Sequence, residues 1–321
     1  MTDAPAITGA PSAPAGGAGK KVFLHLGAHK TATTFIQRTL VHNRPYLRAQ
    51  GWKVIYLQKD RPEVYAEVKR VRRSEDESEP ANLFLQMLNK VRDGKANHLL
   101  TSETILGKMS VRGAGKIYPS HRHMIRLLKR GLGDTDVSVG FAVRNPGGYL
   151  ESSYNWLVYN GATFDFAEYI ERVDVDQLSW VPVVEHLIEA FGAEKVSLWT
   201  YEDFKAAPVE HIKKMIETAG AEASQLKIPS TAPVNVSYAP DVLPLASMWN
   251  RVLWQRRKEL GPKKVSELRK RLRKLLQEGA PRSDDSRKHL LDKGLQDQCD
   301  QKYNQELTYL RRKWGECFLS V

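Results

Sequence analysis

Between positions 27 and 34 the chain reads Gly27-Ala28-His29-Lys30-Thr31-Ala32-Thr33-Thr34. A flexible residue, a cation and three hydroxyls in one short stretch are the parts of an anion site. A turn of this kind between a strand and a helix aims several backbone N–H groups at one point. The helix N-terminus adds roughly half a positive charge there. Lys30 and the hydroxyls of Thr31, Thr33 and Thr34 bring further donors, so the stretch suits a phosphate. Its plain alternative is a strand–turn–helix with a Thr-rich start. A second constellation follows far along the chain: Arg144-Asn145-Pro146, with Ser152 about two helical turns beyond Arg144. Pro146 suits the first turn of a helix, where its missing N–H costs nothing. An arginine fork and a hydroxyl facing one ligand suit a terminal phosphate. Ser153 is the alternative hydroxyl.

The elements that must hold these residues follow from periodicity. Val22 to Leu26 is an apolar run of strand length, and Phe35, Ile36 and Leu40 begin an amphipathic helix that Pro45 interrupts. Trp52 to Leu57 and His98 to Thr101 read as strands, with charged helices over 61–95 and a loop at Ser74–Pro80. Val137 to Val143 is another buried strand, and Gly147-Gly148 should loosen the start of the helix after it. Phe164–Ile170, Trp180–Phe191 and Pro208–Ala219 read as helices, and Lys195–Tyr201 as a strand. His25 is expected to point into the sheet. His121 and His123, in a basic stretch, are expected at the surface. Repeated strand–helix alternation predicts a three-layer α/β fold, a mainly parallel central sheet with helices on both faces. In such sheets ligands bind beyond the carboxyl ends of the strands. Glu103, just after the strand at His98–Thr101, is therefore expected near the site.

The loop at Gly27 is not a Walker A loop, which places five residues between its first Gly and its Lys. Here only Ala28 and His29 separate Gly27 from Lys30. The stretch resembles the 5′-phosphosulfate loop of sulfotransferases that use 3′-phosphoadenosine 5′-phosphosulfate (PAPS). Many bacterial members read Gly-x-x-Lys-Thr-Gly-Thr-Thr there, and this chain departs from them at Ala32. Arg144, Pro146 and Ser152 resemble the same family's 3′-phosphate site. Ser102-Glu103, Tyr201-Glu202, Asn235-Val236-Ser237 and Tyr303-Asn304 are weaker similarities. The resemblance covers about residues 21–220 firmly and the rest loosely. It implies a P-loop-like fold and transfer of a sulfuryl group from PAPS to an acceptor hydroxyl or amine, leaving PAP. Gly27 through Thr34 would hold the 5′-phosphate, and Arg144 and Ser152 the 3′-phosphate. In-line displacement at sulfur needs a base for the acceptor proton. Glu103 is the expected base and His29 the rival. Lys30 and the loop amides would stabilise charge on the leaving phosphate oxygen. Glu202 is expected to be structural, paired with a basic group. No metal is required. A polysaccharide, a lipid headgroup or a small metabolite remains open as acceptor. A P-loop kinase using ATP and Mg²⁺ is the rival enzyme.

Composition bounds the rest. The 321 residues, 41% hydrophobic, can bury a sizeable core. The division expected is an Ala/Pro/Gly-rich tail over 1–20, an α/β domain over 21–240, and a helical C-terminal extension over 241–321 packed on that domain. Two cysteines, Cys299 and Cys317, make neither a disulfide framework nor a metal spacing, so a reducing cytoplasm is expected. No apolar run approaches the ~20 residues that span a bilayer, and the tail does not read as a signal peptide. The net charge of +12 is concentrated: residues 251–274 hold eleven Lys/Arg against two Glu, a local +9. Val265, Leu268, Leu272 and Leu275 stand there at helical spacing, and Pro262 separates the segment from a preceding helix. Such charge suits an anionic polysaccharide or a membrane surface, the latter placing the protein peripherally at the inner membrane face. A nucleic-acid module is the less expected alternative, since it leaves both phosphate motifs unexplained.

Overall fold

Val22, Phe23 and Leu24 are apolar at consecutive positions, so a strand built from them needs cover on both faces. The structure, a computed structural model, describes residues 20–74, 78–109, 116–229, 238–279 and 290–321, and it provides that cover. Its first half runs β1 (Lys21–His25), α1 (Thr33–His42), α2 (Arg44–Ala49), β2 (Trp52–Tyr56), α3 (Leu57–Asp60), α4 (Pro62–Val71), α5 (Asn82–Asp93), β3 (Asn97–Thr101) and α6 (His121–Leu132). Then come β4 (Asp136–Val143), α7 (Pro146–Tyr159), α8 (Phe166–Ile170), α9 (Val181–Phe191), β5 (Val196–Thr200), α10 (Tyr201–Ala206) and α11 (Pro208–Ala219). The C-terminal part is helical: α12 (Leu243–Gln255), α13 (Arg257–Gly279) and α14 (Lys293–Trp314).

The five strands form one parallel sheet in the order β2-β3-β1-β4-β5. Leu24 stands between Leu100 of β3 and Val139 of β4. Alternate residues point to opposite faces. Val22 and Leu24 therefore join Leu100, Val139, Phe141 and Leu198 in the larger core, with α4, α5, α6, α7 and α9. Phe23 joins Val54, Leu99, Ala142 and Trp199 in the smaller one, under α1, α2, α10 and α11. This is the three-layer α/β arrangement expected. Because β1 is central, with β3 and β4 beside it, the loops leaving all three open at the same sheet edge.

Several local expectations change. Pro45 lies in the first turn of α2 rather than merely ending α1. His121 is buried, not at the surface, because the apolar face of α6 carries it inward; its Nε2 lies 2.7 Å from His186 Nδ1. Pro262 does separate two helical stretches, and the break itself is Gly261 at φ +73°. In the basic helix Val265 is buried, but Leu275 is 67% exposed, and Leu276 packs on the core in its place. Residues 1–19 of the expected tail, 75–77 of the charged loop and the Asn235–Ser237 stretch lie outside the described residues. Among the described residues, no helix is long and apolar enough to cross a membrane.

Candidate active site

Beyond β1 the backbone coils tightly. Gly27 has φ +20°, and a Cβ on it would stand 2.7 Å from Thr33 Cγ2 and 3.0 Å from His25 Nε2. Only a residue without a side chain lets the start of α1 fold back so closely. Lys30 and Ala32 also have positive φ, 65° and 59°. Thr31 is fully buried, and its Oγ1 donates to the Ala28 carbonyl at 2.6 Å, closing the loop from inside. Phe35 N–H already bonds the Ala32 carbonyl at 2.9 Å. The preceding N–H groups, at Thr33 and Thr34, belong to the first turn, which has no intrahelical partners to offer them. Thr34 is half-buried beside them. Ala32 thus keeps a left-handed conformation with a Cβ attached, at a cost of about 1 kcal/mol. Ala32→Gly is expected to stabilise the fold by about 0.5–1 kcal/mol, the relief outweighing the added freedom of the unfolded chain; thermal unfolding reads it.

Tyr118, from the segment before α6, pins this loop from beneath. His29 N–H donates to the Tyr118 hydroxyl at 2.6 Å, and His29 Nδ1 is hydrogen-bonded to the same hydroxyl, also at 2.6 Å. The imidazole is buried, and its pKa is pushed down to about 3 by burial, then by the nearby Arg72 and Lys30 charges. His29 is therefore neutral, with Nδ1 already occupied. Arg72 is buried as well. Its Nη1 donates to the carbonyls of Thr104, at 2.7 Å, and Gly107, bracing the loop that carries Glu103. Tyr118→Phe keeps the ring against Trp180, 5.9 Å between centroids, but leaves the buried His29 N–H without an acceptor. It is expected to cost about 1–3 kcal/mol in denaturant unfolding.

Glu103 accepts a hydrogen bond from Thr33 Oγ1, so the strand-end carboxylate meets the first residue of α1. Burial raises its pKa to about 7, with Lys30 opposing. Lys30 is held below its ordinary value by burial and by the Arg144 charge, and Glu103 counters both. Arg144 leaves β4 with its backbone carbonyl taken by Trp180 Nε1 at 2.7 Å. Its Nη1 donates to the Lys30 carbonyl at 2.5 Å, and its guanidinium lies 4.3 Å from the Tyr201 ring centroid. A Cβ at position 148 would sit 3.3 Å from Arg144 Nη2 and 3.4 Å from Nε. The lack of a side chain at Gly148 therefore lets the first turn of α7 lie close against that edge of the fork. Gly147-Gly148 does not delay the helix: Asn145 caps it, Oδ1 accepting from Gly147 N–H at 2.8 Å, and α7 begins at Pro146.

The turn is held from the far end of the chain. Asn145 Nδ2 donates to Asp300 of α14 at 2.7 Å, and Glu202 accepts from Asn145 N–H at 3.2 Å and from the Tyr303 hydroxyl at 2.8 Å. Glu202's hydrogen bonds thus go to a backbone N–H and a phenol rather than to a basic side chain. On α7, Ser152 is half-buried and Ser153 fully buried. His25 is buried as expected, with Nδ1 2.8 Å from Thr101 Oγ1. Gly27 through Thr34, Glu103 and Arg144 are brought into one site. Tyr118, Arg72, Trp180, Gly148 and Asp300 are the supporting residues that motif reading missed.

No protein-family model matches the sequence, and no curated protein matches it. Solved structures do. A sulfotransferase from Alicyclobacillus acidocaldarius is similar with a TM-score of 0.44 at 15% identity, over 77% of this chain and 95% of that one. Mouse sulfotransferase SULT7A1, complexed with PAP, is similar with a TM-score of 0.37 at 13% identity, over 73% of this chain and 66% of that one.

Proposed function

We propose that the protein is a PAPS-dependent sulfotransferase that modifies a hydroxyl or an amine. One observation carries the proposal: Arg144 donates to the Lys30 carbonyl, joining two phosphate-suited loops that stand 114 residues apart. The residues present fit a nucleotide bearing phosphates at both ends of its ribose. Lys30 and Arg144 repel each other in a largely buried space, and an anion between them removes that repulsion. An arginine fork suits two oxygens of one phosphate.

In this scheme Lys30 and the N–H groups at the start of α1 hold the 5′-phosphate, with Thr33 and Thr34 beside them, while Thr31 shapes the loop. Arg144 holds the 3′-phosphate together with Ser152, since Ser153 is too deeply buried to reach a ligand. PAPS, when bound, supplies an activated sulfuryl group. Glu103 takes the acceptor's proton: its carboxylate has a pKa of about 7, near the working range of a general base. His29 is the poorer candidate, with a pKa of about 3 and Nδ1 engaged by Tyr118.

The discriminating measurement is a thermal shift of the full chain with PAP and, separately, with ATP and Mg²⁺. PAP is expected to raise the melting temperature, a stabilisation of about 2.7 kcal/mol at a hundred times its Kd. A shift with ATP–Mg²⁺ and none with PAP would instead identify a P-loop kinase.

A further inference from the structure

α12 is apolar on two sides. Leu243, Ala246 and Leu253 are buried against the body of the protein, together with the polar Ser247 and Asn250. Asn250 Nδ2 fixes the orientation by donating to the carbonyls of Val158, at 2.8 Å, and Ala162, at 3.1 Å. On the opposite side Leu245, Met248, Trp249 and Val252 form a second row at spacings of three and four residues. These four expose between 38% and 55% of their surface. A polar outer face is the rule for a helix on the surface of a water-soluble protein. Among the described residues nothing covers this row.

The charge around the row selects its occupant. Arg256 continues the row one turn past Val252, and Arg257 stacks its guanidinium 3.8 Å from the ring centroid of exposed Trp254. The helix that follows completes the +9 segment over 251–274. A second copy of the same face would bring two such charges together, which opposes self-association. A sulfated or carboxylated polymer would satisfy the cations, yet it has no use for Met, Leu and Val side chains facing outward. An anionic bilayer takes both, apolar side chains entering below the headgroups and Lys/Arg remaining among the phosphates.

We propose that the outward row of α12, with the cations of 251–274, docks this protein on an anionic lipid surface. The docking is independent of the sulfotransferase reading, since none of these residues belongs to the Lys30–Glu103–Arg144 site. Flotation of the full chain with vesicles of phosphatidylglycerol and phosphatidylcholine in equal parts tests it, with pure phosphatidylcholine as the control. Binding to the anionic vesicles alone is expected, weakening steeply with added salt, and accompanied by a blue shift of tryptophan emission. Met248→Ser combined with Trp249→Ser, both exposed, is expected to weaken binding on the order of a hundredfold. Lys258→Glu and Lys263→Glu are each expected to weaken it at least roughly fivefold. The PAP thermal shift should stay unchanged in all of these variants, which separates failure here from failure at the nucleotide site. Absence of vesicle binding overturns the proposal. So does binding that ignores the Met248/Trp249 pair, capture by dextran sulfate without capture by vesicles, or a solution dimer that the same pair of substitutions dissociates.

Discussion

Lys30→Ala is expected to lower sulfuryl transfer by about two to three orders of magnitude, the usual cost of removing one donor from a site where charge develops. The fold should survive, because Lys30 is not among the core residues and the loop is braced by Thr31 on Ala28 and by Tyr118 on His29. Burial and the Arg144 charge hold Lys30 below its usual pKa, so its cationic form is strained there and an incoming anion relieves it. The measurement is incorporation of labelled sulfate from PAPS into an extract of the native cell, beside circular dichroism of the purified variant. Near-full incorporation by a folded variant removes Lys30 from the mechanism. The change also reaches Glu103. Lys30 lowers the Glu103 pKa, so its loss should move the basic requirement of any residual transfer to higher pH.

Glu103→Gln is the other large expectation, a loss of about a hundred- to ten-thousandfold. Glutamine keeps the shape and can still accept from Thr33, but it cannot take a proton. In the native protein a base must be ionised to act, so transfer should rise with pH through about 7. The variant's residual transfer should lack that limb. Stability changes in the opposite sense. The folded pKa of about 7 lies above the ordinary value of 4.5, so between those values the folded protein keeps a proton that the unfolded chain has lost. Stability contributed by this group therefore falls as pH rises across that window, and Glu103→Gln flattens the slope. Urea titrations at several pH values check it. If the native limb persists in Glu103→Gln, another group is the base.

Local information reached a long way into this molecule. The consecutive apolar residues of Val22–Leu24 and Phe141–Val143 demanded strands covered on both faces. The gap from Gly27 to Lys30 excluded a Walker A loop. Pro146 marked the start of α7. Each of these depends on neighbours within a turn or two, where periodicity and backbone preference carry the signal.

The remainder depends on which strands lie side by side, and parallel register is set by packing across the whole sheet. Once β1 lies between β3 and β4, the Thr33–Glu103 bond spans 70 residues, His29–Tyr118 spans 89 and Lys30–Arg144 spans 114. Tyr118 and Arg72 stand in segments with no motif of their own, so nothing short-range distinguished them. The same limit applies to α12: two apolar rows are visible in its order of residues, but which row the body of the protein buries is decided only when Asn250 meets the carbonyls beside α7. Short-range preference specified the parts and their sequence along the chain. The meeting of the phosphate-suited loops, and the face left uncovered, arose from long-range packing that periodicity does not encode.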